Sequence, residues 1–193
     1  MTRPRFTLTV AATRDGFIAR APGHAPTEWV SPEEQTLFLR DVEAADWSIM
    51  GRGTHEAAPR ADRRRIVFST EAGGWRTGCQ FWCDPAGFSP ADLAQEVRKV
   101  HPLRQGLILG GTRVHDWFSD RDAIDRIHLT VEPVTWGEGL PIFTGAEGHA
   151  PLDLLQDSGF RIVDEVLLNA RGTMWYAMTR NGDPAAPGME TVT

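Results

Sequence analysis

Gly106-Leu107-Ile108-Leu109-Gly110-Gly111-Thr112-Arg113-Val114 is an apolar strand that runs into a pair of glycines and then into a helical segment. Earlier in the chain, Trp47-Ser48-Ile49-Met50-Gly51-Arg52-Gly53-Thr54 repeats the arrangement. Glycine at such a corner lets the backbone come close to a ligand, because no side chain stands in the way. The helix start that follows leaves N–H groups unpaired, with the positive end of the helix dipole behind them. Corners of this kind hold phosphate, and two of them, each with an arginine, point to a ligand with two phosphate regions, such as a dinucleotide.

Strand and helix patterns alternate on both sides of these corners. Phe6 to Thr13 alternates as a strand should, and Asp15-Gly16 is a turn. Ser31-Pro32-Glu33-Glu34 carries a capping serine, a proline at the first helical position and carboxylates in the first turn. Leu37, Phe38, Val42 and Ala45 follow at helical spacing. A short helix is predicted from Thr54, strands over Arg65–Phe68 and Gln80–Cys83, and a helix opened by Ser89-Pro90-Ala91-Asp92. From Ile124 onward the pattern is all-β, with a short helix near Leu152–Gln156. The fold predicted is α/β: a mostly parallel central sheet of about eight strands, antiparallel C-terminal strands and about four helices. One domain is expected over residues 1–180. Residues 181–193, rich in Pro, Gly and Ala, are expected to form a loose tail.

The chain has 193 residues and a formal net charge of -6, which disfavours nucleic acid as a partner. No apolar run approaches the roughly 20 residues that cross a bilayer, and no signal peptide is visible, so a cytoplasmic protein is expected. Cys79 and Cys83 are expected to be reduced and packed as small apolar groups, since a zinc site would need more ligands than this pair.

Five segments, in order, resemble the dihydrofolate reductase-like superfamily. Ile49-Met50-Gly51-Arg52-Gly53-Thr54 is similar to its Gly-Arg-x-Thr corner, and Ile66-Val67-Phe68-Ser69-Thr70 to the next strand with its paired hydroxyls. Leu107 to Val114 resembles its Gly-Gly turn, and Ile127-His128-Leu129-Thr130 the strand that ends in threonine. Glu132 to Phe143 is closer to the C-terminal reductase domain of the riboflavin-biosynthesis deaminase–reductase and its stand-alone relatives.

The resemblance implies NADPH as cofactor. Gly51, Arg52 and Thr54 would hold phosphates at the first corner, and Gly110, Gly111, Thr112 and Val114 the pyrophosphate and nicotinamide side at the second. Arg52, Thr70 (with its neighbour Ser69) and Arg113 fall where the 2′-phosphate is embraced, and Ala12 and Ile18 would line the nicotinamide. Two guanidinium groups and a hydroxyl suit a doubly charged phosphate. Thr130 would lie below the substrate. Trp29 stands five residues before Glu34, matching the spacing of the family's proton donor, and Phe38 matches an aromatic that contacts substrate. Glu34 is thus the candidate acid, with the plain alternative that Glu33 and Glu34 only complement the helix dipole.

His55 and His115 follow the corners and are candidates to touch cofactor, while His24, His101 and His149 read as solvated loop residues. Thr112 stands where the family has a third glycine, and His115 where it has a tyrosine. The implied activity is reduction of a pyrimidine-, pterin- or similar heteroaromatic or imine substrate, as by an aminouracil ribosyl phosphate reductase. Dihydrofolate reduction, with Arg63 or Arg64 for the glutamate tail, is one alternative, and a non-catalytic NADPH-binding regulator is another. The riboflavin relatives imply a homodimer.

Overall fold

The computed structural model describes residues 3–182 apart from Ala72. In chain order the elements are β1 (Arg5–Thr13), β2 (Phe17–Ala19), α1 (Pro32–Ala44), β3 (Trp47–Gly51), α2 (Arg52–Ala57), β4 (Arg65–Phe68), β5 (Gly74–Arg76) and β6 (Gln80–Cys83). There follow α3 (Pro90–Val97), β7 (Gln105–Gly110), α4 (Thr112–Ser119), β8 (Arg126–Glu132), β9 (Leu140–Pro141), α5 (Pro151–Asp157), β10 (Phe160–Leu167) and β11 (Met174–Arg180). Two single-turn helices, Pro26–Glu28 and Pro85–Gly87, complete the described residues.

Nine strands form one sheet in the order β10-β11-β8-β1-β7-β3-β4-β6-β5, and β2 pairs with β9 in a separate ribbon. The six strands from β8 to β6 are parallel, while β11 and β10 add antiparallel at one edge and β5 at the other. The all-β pattern after Ile124 predicts β8 among the antiparallel C-terminal strands. Strand β8 is parallel to β1, because the chain crosses back through α4 before entering it. The extra strand β5 is three residues long and starts at Gly74, too short to show a period. Helix α2 begins at Arg52 rather than Thr54, so the first corner opens directly into helix.

Helix starts follow the capping chemistry. Ser31 Oγ accepts the Glu34 N–H at 3.3 Å, with Pro32 at the first helical position. Ser89 and Asp92 cap each other's backbone at the start of α3. The core lies on the face of β1 that carries Phe6, Leu8, Val10 and Ala12, packed with Ile49, Ile66, Leu93, Ile108, Phe118 and Ile127. Cys79 and Cys83 are both free thiols. Cys83 is buried, its thiol pushed up to about 12 by burial and Asp84. Cys79 is not packed as an apolar group: it precedes β6 in a turn and its Sγ donates to the Ala61 carbonyl at 3.2 Å. Of the tail expected over 181–193, Asn181 donates its N–H to the Gly159 carbonyl at 2.9 Å, and residues 183–193 lie outside the described residues.

Candidate active site

The C-terminal ends of β3 and β7 are neighbours, with Met50 opposite Gly110, so the two glycine corners stand side by side. A Cβ placed on Gly51 would lie 3.5 Å from Val114 Cγ2, whereas one on Gly111 would meet nothing within 4 Å. The Gly110–Gly111 peptide is cis, and Gly110 has φ of 104°. A Cβ there would fall 2.8 Å from Nε2 of His115. Gly111 caps α4 with no side chain of its own, and a helix start leaves its first N–H groups without intrahelical partners. The corner has the bare, close-approach backbone that a pyrophosphate requires, and the residues present fit a dinucleotide.

The side chains expected to assist are disposed unequally. Thr112 Oγ1 donates to the Pro141 carbonyl at 2.6 Å, which leaves its N–H, not its hydroxyl, toward the corner. Val114 is buried between the corners. Thr54 is half-buried in the first turn and a half of α2, while Ser69 is buried and Thr70 exposed at the end of β4. Gly51 lies opposite Phe68, which brings Arg52 beside the turn after β4. Ala12 is fully buried near the end of β1 and Ile18 is half-buried in β2.

The histidines that follow the corners are both buried. His55 Nδ1 lies 3.1 Å from Arg65 Nη1, and its ring packs edge-on against Trp82. His115 is 1% exposed, with Nδ1 2.8 Å from the Ile142 carbonyl, and burial pushes it down to about 4. Its neutral ring therefore donates through Nδ1 and braces the Gly110 turn from behind. Arg64 Nε donates to the Asp46 carbonyl at 2.7 Å. With Arg63 it lines a cavity of about 260 Å³ that Glu43, Asp46 and Asp62 also line. Three carboxylates in that lining offset the positive charge a glutamate tail would need.

Under α1 the sheet changes character. Thr9, Ala11 and Thr13 of β1 lie opposite His128, Thr130 and Glu132 of β8, and all share one face. Glu34 is the one buried residue of α1, 8% exposed, while Leu37 and Phe38 are half-buried. A helix that buries a carboxylate over a polar stripe is not there to close a core. No protein hydrogen bond reaches the Glu34 carboxyl among the described residues. Burial, then the carboxylates of Glu132 and Asp41, push it up to about 7. Glu132, 2% exposed, is satisfied by two donors: the Ser31 N–H at 2.6 Å and the Thr173 hydroxyl at 2.7 Å. Asp41 Oδ2 lies 2.6 Å from His128 Nδ1. Glu33, by contrast, is exposed on the first turn, and its carboxyl is lowered by its own backbone N–H and then by Asn169, which donates to it at 3.1 Å.

Loops close over this end. Asp15 accepts the N–H groups of Trp136 and Gly137 at 3.1 and 2.7 Å, its carboxyl held low by Thr13 and these amides against a burial penalty. Trp136 packs against Trp29 with ring centroids 4.7 Å apart, and the Trp29 indole N–H is buried without a partner. Glu132, Asp41 and Asp15 were not singled out from sequence as site residues. The alternation His128, Thr130, Glu132 inside an otherwise apolar strand is the signal that exposes the polar face.

Among known protein families, the RibD C-terminal domain matches residues 4–168 of this chain. A protein described as uncharacterized protein YwjB, from Bacillus subtilis (strain 168), is 28% identical over 147 residues, covering 70% of this chain and 80% of that one. A putative riboflavin biosynthesis protein from Shewanella sp. PV-4 superposes with a TM-score of 0.67 at 19% identity, covering 92% of this chain and 99% of that one. RibD of Acinetobacter baumannii superposes at 0.71 and 16% identity, over 93% of this chain and 58% of that one. Dihydrofolate reductase from Enterococcus faecalis, complexed with NADP(H) and RAB-propyl, superposes at 0.63 and 16% identity, over 93% and 98%. The fold is that of dihydrofolate reductase.

Proposed function

This chain belongs to the RibD C-terminal domain family, and from that premise we propose that it is an NADPH-dependent reductase of a pyrimidine- or pterin-like substrate bearing a reducible C=N bond. The observation that carries the proposal is Glu34: a buried carboxyl with no hydrogen-bond partner among the described residues, raised to about 7, at the strand ends where the glycine corners also lie. When bound, NADPH supplies the hydride. The corners would hold its pyrophosphate through Gly51, Gly110 and Gly111, with Arg52, Thr54 and Arg113 to assist, and Ala12 and Ile18 would line the nicotinamide. Glu34 then holds a proton at neutral pH and passes it to the substrate nitrogen as the carbon is reduced, regaining it from water. Phe38, Trp29 and Thr130 bound the ring pocket, and Asp15 keeps the Trp136 loop over it and excludes water. A second copy of the chain completes the proposal: β10 is an edge strand, with Val166 39% and Leu167 61% exposed.

The test is a purified homodimer, sized by light scattering, titrated with NADPH by tryptophan fluorescence and then offered substrates. NADPH oxidation with an aminouracil ribosyl phosphate, and not with dihydrofolate, is the expected result. Absence of NADPH binding at submillimolar concentration overturns the cofactor assignment. Tight NADPH binding without oxidation of any substrate overturns the reductase in favour of a regulator.

A further inference from the structure

Arg52 and Arg113 stand in opposite electrostatic states. Arg113 is exposed and makes no ion pair or hydrogen bond among the described residues. Arg52 Nη1 is ion-paired with Glu71 Oε1, and its Nε lies 3.8 Å from Glu56 Oε1. Glu71 is held in place by its own backbone, since its N–H donates to Ser69 Oγ at 3.2 Å in the turn that follows β4. That turn and the first corner adjoin because Gly51 and Phe68 are register partners. One guanidinium thus faces two carboxylates, at the position where the resemblance puts an adenosine 2′-phosphate.

A phosphate dianion arriving at Arg52 must displace the Glu71 carboxylate or stand beside it, and like charges at that distance repel. A ribose with a free 2′-hydroxyl meets no such obstacle, because a hydroxyl can donate to a carboxylate. We propose that Glu71 sets the enzyme's selection at the adenosine ribose by competing with a 2′-phosphate for Arg52. The proposal rests on the reading that a dinucleotide occupies the two corners. Its consequence is a reductase whose preference for the phosphorylated cofactor is blunted by a surface carboxylate.

Calorimetric titration of the full chain with adenosine 2′,5′-bisphosphate and, separately, with adenosine 5′-monophosphate tests this. Glu71→Gln is expected to tighten the bisphosphate about three- to fivefold, the scale of an exposed charge pair, and to leave the monophosphate within about twofold. The gain shrinks at high salt, where exposed charges are screened. In an Arg52→Gln background the gain falls to less than half, because the contested partner is gone. An unchanged or weaker bisphosphate affinity in Glu71→Gln, or a full gain without Arg52, overturns the proposal while leaving the cofactor site standing. Wild-type protein that binds neither nucleotide overturns the cofactor reading and this proposal together.

Discussion

The glycine corners and the acidic pocket under α1 lie at the same edge of the sheet and are built by opposite means. At the corners the working parts are backbone: bare Cα atoms and the start of a helix, with a histidine that braces the turn from behind. Every essential piece is supplied within a few residues of the turn. Under α1 the working parts are side chains, gathered from positions 34, 41, 132 and 173 and tied to the Ser31 N–H. The Ser31–Glu132 hydrogen bond alone joins residues 101 apart in sequence. A site made of backbone fails when a Cβ is added. A site made of gathered charges tolerates shape-preserving changes and fails when a charge moves.

The largest effect expected from this contrast is at Gly110. An alanine there would hold φ near 104° and place Cβ 2.8 Å from Nε2 of a histidine that is itself fixed to Ile142. Strain and overlap together cost about 3–5 kcal/mol in urea denaturation. Gly111→Ala, with φ of -77° and open space before it, should cost far less stability while weakening nucleotide binding. Equal destabilisation by the two would break the picture of one glycine serving the turn and the other serving the ligand.

The acidic pocket gives the next largest effect, and with the opposite sign. The carboxyl of Glu34 rises from 4.5 to about 7 on folding, so the folded chain holds that proton more tightly than the unfolded one. The stabilisation is complete below pH 4.5 and is lost as pH climbs through about 7, a swing of roughly 3 kcal/mol. Glu34→Gln should therefore match wild type near pH 4 and be the more stable protein by about 2–3 kcal/mol at pH 8. A difference that does not change between those two pH values would mean that Glu34 is not a desolvated acid.

The same contrast explains what could be read from the amino-acid order. Ser31-Pro32-Glu33-Glu34 announces a helix start, and the Ser31 cap is found at 3.3 Å. The glycine corners announce themselves because their chemistry is contiguous. Glu33 and Glu34, however, are indistinguishable as first-turn carboxylates until the phase of α1 puts one in solvent beside Asn169 and the other over the sheet. Nothing local to Arg126–Glu132 states that its neighbour β1 runs parallel, and the partners of Glu132 lie on α1 and β11. Glu71 follows the Ser69-Thr70 pair directly, yet only the pairing of β3 with β4 turns it toward Arg52. Local chemistry was legible, and charge neighbourhoods made by strand order were not.

The finest test separates the two causes that act on Glu34. Burial is the larger, and the Glu132 carboxylate is the next. Glu132→Gln keeps the shape and an acceptor for the Ser31 N–H, and its amide can still meet the Thr173 hydroxyl, which accepts as well as donates. What it removes is the negative charge. The Glu34 carboxyl should then fall by about half a unit to one unit, a change of about 1 kcal/mol, readable as a downward move in a carboxyl NMR titration. The protonated fraction of Glu34 at pH 7 falls with it, so turnover at that pH declines while turnover at pH 5 does not. If the titration stays where it was, burial alone sets the acid, and Glu132 serves only to tie the start of α1 to the end of β8. If it moves, the polar stripe under α1 is a charge device, and Glu132 tunes the proton that Glu34 carries.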